Sequence, residues 1–429
     1  MALFHLVRTE RRVNMTVIRR RRRLHFITLV LTLGALGGLV LGCGDSDGVR
    51  QSARSSCRTP GVTDTEVKAG LVFSMSGPGA SPLVGFRSGI NARLGVANAE
   101  GGVNGRKIIY SWRDDATDPA LNLVGSRDLV EDEGVFGIIQ GPHVAAGSAP
   151  YLSERGIPVV GSAGETVWAQ YKNMFSWHYY TTEQGSSTVW GDFVRSRGGT
   201  RAVMVDMALS EATKKFHRQL AQSLNAAGVN TDMTFEVTAN TTSFDALARQ
   251  MKAAQVDTIA GVIFPDVLIK LLPAVWAAGV NLKTVLIPVG YDPTLLQQAG
   301  PALPGVIIYT DFVPFELNTE AHKRLFDAMT TYAPENQVPA QESTVFGWLS
   351  ADMFIRGLQE AGPCPTRQSF IDGLRKVHDY DGGGLLLQKV DFATNSGRLG
   401  DCYAFVQVSY DGSRFLPLAP TPRCGRLLP

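Results

Sequence analysis

Apolar residues along this chain alternate between two spacings, a run that suits a buried strand and a three-to-four-residue beat that suits a helix. Residues 67–73 form the first strand-like run, and residues 84–98 place Ile90, Leu94 and Ala97 on one helical face. Strands at 107–112, 135–139 and 157–160 follow, with a helix capped by Asp118-Pro119 and another over 144–155 between them. A second run starts near Gly185: helix 188–197, strand 201–206, helix 210–227 stopped by Gly228, strand 232–237, a Ser243-capped helix with Leu247, Met251 and Ala254 inward, and strand 258–264. Asp266 is then expected to cap a helix that Pro273 kinks or locally breaks. Strands 284–289 and 306–310, helices 319–332, 344–360 and 367–376, and hairpin-like strands 385–391 and 402–409 around Asp411-Gly412 complete the pattern. Alternating β and α with a β-rich tail predicts a doubly wound α/β architecture. At this length the chain is expected to hold two domains.

The densest signal lies at residues 97–142. A helix ends at Gly101-Gly102, Asn104-Gly105 makes a tight turn, a strand follows, Asp114-Asp115 and Asp118-Pro119 form an acidic loop that caps the next helix, and a buried strand ends at Gly141-Pro142. That order is a βαβ unit of a parallel sheet. With Met75-Ser76-Gly77-Pro78 upstream, the segments Gly101-Gly102-Val103-Asn104-Gly105-Arg106-Lys107, Asp114-Asp115 and Asp118-Pro119 resemble the type I periplasmic solute-binding proteins of ABC importers, in the leucine/isoleucine/valine-binding branch. The resemblance implies two doubly wound lobes joined by a three-strand hinge. Carried onto this chain, lobe one is 62–184 plus 316–378 and lobe two is 185–315 plus 379–429.

The N-terminal end changes the charge picture. Arg19 to Arg23 precede an apolar run over 26–41, which reads as a signal peptide ending at Val40-Leu41-Gly42-Cys43. This resembles a bacterial lipobox, with residues 1–42 removed, Cys43 diacylated and residues 43–61 as anchor and tether. Met15 serves equally well as a start, and Arg21-Arg22 leaves a twin-arginine export route open beside the general one. Residues 1–42 hold eight arginines against Glu10, or +7, so the chain's formal +2 becomes −5 for the remainder. A mildly acidic exported body does not offer the basic face that a nucleic-acid binder needs. The expected location is the outer face of the bacterial cytoplasmic membrane.

Four cysteines remain after Cys43: Cys57, Cys364, Cys402 and Cys424. Export permits disulfides, and three connectivities are possible. The pairing expected here is Cys364 with Cys402 and Cys57 with Cys424. No cysteine or histidine spacing suits a metal, and no cofactor is expected. The loop 101–107 lacks the Gly-Lys-Ser/Thr of a phosphate-binding loop, and Gly161-Ser162-Ala163-Gly164 lacks the spacing of a nucleophile elbow. His217 and His322 read as solvated helix-face residues, and Asp114, Asp115 and Asp118 as capping and loop groups. No catalytic residue is assigned.

Open parallel sheets bind ligands beyond the C-terminal ends of their strands. That rule nominates Ser74 and Ser76, the loops 142–146 and 161–165 with His143, Ala145, Ser162 and Gly164, then Phe264 and Asp266, then Tyr291 and Asp292. In the family this chain resembles, a Ser and a Thr of the second and third loops hold an amino acid's carboxylate, and an acidic residue of the fifth loop holds its ammonium. Here those positions fall on Ala145, Gly164 and Val289, with Pro82 where the family carries an aromatic. The departures point away from a conventional branched-chain amino acid. The reading is a monomeric, lipid-anchored receptor that closes over an amino acid, amide or small carboxylate and presents it to an ABC permease and its ATPase. Two other classes remain: a ligand-sensing module for a membrane sensor, and an exported enzyme.

Overall fold

Strand β1 (Glu66–Phe73) is buried on both faces over its second half, as a central strand of a parallel sheet must be. Its neighbours show how the chain winds. In the computed structural model, which describes residues 57–207, 211–238 and 241–429, β2 (Lys107–Asp114) and β3 (Gly137–Gln140) flank β1 in parallel, and β4 (Val159–Gly161) and β5 (Met174–Phe175) extend the sheet in the order β2-β1-β3-β4-β5. The described residues fall within one compact unit, Ser55–Pro429. The expected signal peptide, the lipidated Cys43 and the tether up to residue 56 lie outside them, as does Ser210.

Helices α1 (Phe86–Ala99), α2 (Pro119–Arg127) and α3 (Ala149–Glu154) connect these strands. The Gly101-Gly102 stop is required by sterics: Gly102 has φ +74° and a Cβ there would meet the Arg106 carbonyl oxygen at 1.9 Å. Asn104 and Gly105 both have positive φ in the turn that follows. Asp118 caps α2 as expected, accepting from the backbone N–H of Ala120 at 2.7 Å. The helix expected over 144–155 is instead a 3₁₀ turn (Ala145–Gly147) followed by the short α3. Pro150 donates no backbone hydrogen bond, and Gly147 sits so close to α2 that a Cβ would meet the Pro119 carbonyl oxygen at 2.0 Å.

The second sheet contains β7 (Arg201–Asp206), β8 (Asn230–Glu236), β9 (Thr258–Val262), β10 (Thr284–Ile287), β11 (Ile307–Thr310), β12 (Cys402–Val408) and β13 (Phe415–Pro417), in the order β13-β12-β11-β10-β9-β7-β8, with β14 (Arg423–Cys424) paired to β12. Strands β7 to β11 are parallel, and β12 returns antiparallel to β11. A two-residue strand β6 (Ser186–Ser187) pairs with β15 (Leu427–Leu428). Helices α4 (Val189–Ser196), α5 (Glu211–Ala226), α6 (Asp245–Ala253), α7 (Pro265–Ala277) and α8 (Pro293–Ala299) belong to this half. The helices α9 (Glu320–Tyr332), α10 (Glu342–Ala361) and α11 (Arg367–Leu374) come after β11 but pack on the first sheet, α10 against α1, β3 and β4. The chain therefore passes between the halves three times, before β6, after β11 and before β12. Asp311 of the second passage accepts from Trp177 Nε1 of the first at 2.8 Å, and His178 Nε2 lies 3.1 Å from the hydroxyl of Tyr403 in β12. Burial pushes the His178 imidazole toward its neutral form.

Four expectations are corrected here. Pro273 sits inside an unbroken α7, and that helix takes Phe264 as its N-cap with Pro265 in its first turn, so Asp266 is an exposed first-turn residue and not the cap. Residues 385–391 form isolated bridges, Leu386 with Phe312 and Val390 with Tyr380, in place of a strand. The disulfides are Cys57–Cys364 and Cys402–Cys424, and the expected pairing is overturned. Each bond stays within one half of the molecule. The antiparallel register of β12 and β14 sets Cys402 opposite Cys424 with Cα atoms 4.0 Å apart. Cys57 reaches Cys364 beside the buried Arg106, whose guanidinium donates to the carbonyls of Thr63 at 2.6 Å and Pro363 at 2.8 Å.

Candidate functional site

A cavity of about 510 Å³ lies where the C-terminal ends of both sheets converge. The first sheet contributes the segment after β1 (Pro78, Gly79, Pro82, Leu83), the turn after β3 (Pro142 to Val144) and the loop after β4 (Ser162, Gly164, Glu165). From the second come Val262 at the end of β9 and Phe264 just after it, Pro288 and Val289 after β10, and Phe216 on α5. Tyr180 and Thr181 of the first passage, with Glu342 and Phe346 of α10, close it. A wider outer cleft of about 900 Å³ shares Pro82, Phe264, Val289 and Glu342 with it and runs past Asp266 and Asp292.

Of the residues nominated from sequence, His143, Ser162, Gly164 and Phe264 line the cavity together. The Ser162 hydroxyl is fully buried and has no hydrogen-bond partner, and His143 Nε2 is likewise shut off from solvent and unpartnered, although the residue as a whole is partly exposed. Burial drives the His143 pKa down to about 4, so its imidazole is neutral at neutral pH. Asp266, Tyr291 and Asp292 border only the outer cleft. The Tyr291 hydroxyl donates to Glu316 and accepts from the Phe315 N–H at 2.8 Å, and its ring packs among Phe312, Phe315 and Phe415. Asp292 caps α8 and accepts from Gln341 Nε2 at 2.9 Å. Ser74, Ser76 and Ala145 do not line either space. Ser74 donates to Asp115 at 2.6 Å in a buried network that continues through Asn122 to Gln140, and Ser76 donates to Asp114 at 2.6 Å. Ala145 is buried in the core beneath its turn.

Sequence reasoning missed Glu342, Tyr180, Phe216 and Phe346. None stands at the end of a strand, and only the return of α10 to the first half brings Glu342 to the cavity. Its carboxyl is buried, accepts from the Gly290 backbone, and is pushed well above the usual carboxylate range by desolvation and then by Asp311. Glu165, in the nominated third loop, accepts from the N–H of Ala146 at 3.1 Å and from that of Ala145. Those two amides are aimed by Val144, which holds φ +53°, a costly conformation for a β-branched residue. No lysine or arginine lines the cavity among the described residues. Gly164 is fixed by contact, since a Cβ would meet the Pro142 carbonyl oxygen at 2.5 Å.

The profile of the periplasmic binding protein family matches residues 66–413. "Leu/Ile/Val-binding protein homolog 4" of Brucella melitensis biotype 1 is 25% identical over 328 residues, 70% of this chain and 74% of that relative. Among solved structures, the fatty acid ABC transporter substrate-binding protein from Thermomonospora curvata superposes with a TM-score of 0.68 at 19% identity, over 85% of this chain and 94% of the other. An ABC-transporter solute-binding protein from Rhodopseudomonas palustris BisB5, in complex with 3,4-dihydroxy benzoic acid, gives 0.68 at 16% identity, over 85% and 98%. This chain thus belongs to the periplasmic binding protein family, in the leucine/isoleucine/valine-binding branch of the type I fold, and is an extracytoplasmic solute-binding protein, not an enzyme.

Proposed function

We propose that this chain is the lipid-anchored receptor of an ABC importer, held through Cys43 at the outer face of the bacterial cytoplasmic membrane, and that it captures a small organic molecule by closing its halves about the three passages. The observation that carries the reading is the cavity itself: both halves line it, and its wall includes Ser162 and His143, whose buried hydroxyl and Nε2 have no hydrogen-bond partner. Buried polar groups without partners are costly, and a ligand that supplies the missing hydrogen bonds recovers that cost. Binding energy shifts the open–closed equilibrium, and the closed form is the one a permease engages. Lobe one is assigned to 62–184 plus 316–378 and lobe two to 185–315 plus 379–429. The protein acts as a monomer toward its permease and ATPase.

The named relatives carry amino-acid, fatty-acid and aromatic-acid labels, so the ligand class is open to experiment. A thermal-shift screen of the oxidised protein against amino acids, amides, amines, carboxylic acids and sugars tests the reading. A ligand at 100 times its dissociation constant stabilises the folded state by about 2.7 kcal/mol. Small-angle scattering then shows contraction on binding. A hit that leaves the scattering curve unchanged refutes closure.

A further inference from the structure

We infer that the inner cavity takes a ligand made of an apolar body and a cationic amine headgroup, with Glu342 as the group that meets the amine and Glu165 as a built-in stand-in for a ligand carboxylate. This rests on the receptor reading and narrows it.

The body follows from the wall. Leu83, Phe216, Val262, Phe264, Val289 and Phe346 surround a volume of about 510 Å³, room for an aryl or branched alkyl group. The headgroup follows from what the wall lacks. A carboxylate ligand needs a cation or a set of free N–H donors, and the described lining has neither lysine nor arginine. One N–H concavity among the cavity's turns is the left-handed Val144 followed by the 3₁₀ turn at Ala145, the conformation that cups an anion. The protein's own carboxylate already fills it: Glu165 accepts from Ala145 and from Ala146, the latter at 3.1 Å. A ligand carboxylate there would displace Glu165 or sit beside it at like charge.

Glu342, by contrast, faces the cavity with more than nine-tenths of its surface buried and no basic side chain in hydrogen-bond contact. Glu211, the third carboxylate of the lining, sits at the rim and is paired with Lys214 at 2.8 Å. An ammonium brought in by a ligand supplies the charge partner that Glu342 lacks, and the rings of Tyr180 and Phe346, 6.2 Å apart, offer it π-faces. Ser162, buried and unpartnered, is available to the remaining hydrogen-bonding group.

The test uses three probes with one body, phenethylamine, 3-phenylpropionate and 3-phenylpropanamide, titrated calorimetrically into the full-length protein in detergent. The amine is expected to bind at least about tenfold tighter than either of the others, and E342Q to weaken it by about thirtyfold or more while leaving the amide within about threefold. In E165A, which vacates the Ala145-Ala146 amides, 3-phenylpropionate binding is expected to appear or strengthen. This gain does not depend on how E342Q folds. Silence of the amine overturns the inference, as does an amide that equals it, or a carboxylate that binds the unaltered protein more tightly. The last two outcomes leave the receptor reading standing. That reading fails on its own account if binding of whichever probe is tightest causes no closure by scattering.

Discussion

Replacing Gly347 by Ala tests whether backbone contact between α1 and α10 sets the position of the cavity wall. A Cβ at Gly347 would lie 1.9 Å from the Phe86 carbonyl oxygen and 3.1 Å from the Ile90 nitrogen, and one at Gly89 would lie 2.0 Å from the Thr344 oxygen. Real Cβ contacts fall essentially never below 3.0 Å, so the helices must part by about 1 Å, because no side chain can rotate away. Two effects compete. Alanine in a helix interior is favoured over glycine by about 1 kcal/mol. Against it, overpacking costs about 1–3 kcal/mol, and a gap of about 1 Å along the rest of the helix pair forfeits up to half of each van der Waals well. The second effect wins, for a net loss of about 1–2 kcal/mol, or a fall of about 1–3 °C in the thermal midpoint. Gly89→Ala is expected to behave alike. The double variant should lose less than the sum, because one displacement relieves both clashes. Since α10 carries Glu342 and Phe346, affinity for the cavity ligand falls in parallel. Chemical denaturation read by fluorescence, with calorimetric binding, checks all three. A Gly347→Ala protein more stable than its parent, as helix propensity alone dictates, refutes the reasoning.

Other predictions address the staples and the cavity histidine. Peptide mapping without reduction should recover peptides joining Cys57 to Cys364 and Cys402 to Cys424, and a Cys364–Cys402 peptide would contradict the register of β12 and β14. Opening the loop of 22 residues with Cys402→Ser plus Cys424→Ser should cost about 3 kcal/mol in denaturant. His143, with its pKa lowered to about 4 by burial, should remain neutral in NMR titrations down to about pH 5. An unfolded histidine takes up its proton near pH 6.5, and the folded one does not until about pH 4. Stability is therefore full above pH 6.5 and falls as pH drops toward 4, by at most about 3 kcal/mol. His143→Gln should remove that slope, and an unchanged slope would show that another group causes it.

Sequence alone determined the parts of this protein that depend on local physics. Apart from β5, β6 and α8, the strand and helix order from 67 to 376 was legible because buried parallel strands read as apolar runs and their helices carry one apolar face. The Gly101 to Lys107 turn and the Asp118 cap were legible because their residues are chosen by sterics and by orphan N–H groups, both local demands. That local signal reaches as far as His143, Ser162, Gly164 and Phe264, which stand just past strand ends where the sheet's geometry points any ligand. It fails where an alternative hydrogen bond competes. Ser74, Ser76 and Tyr291 also follow strands, yet Asp115, Asp114 and Glu316 claim them. Only the tertiary structure decided the cysteine pairing, which depends on the register between β12 and β14 and on the docking of residue 57 beside the turn after α10. It alone brought Glu342 and Phe346 across to the cavity and set Glu165 against the Ala145 and Ala146 amides. Those contacts join segments 19 to more than a hundred residues apart in sequence, and no short-range pattern encodes which distant groups will share one desolvated space.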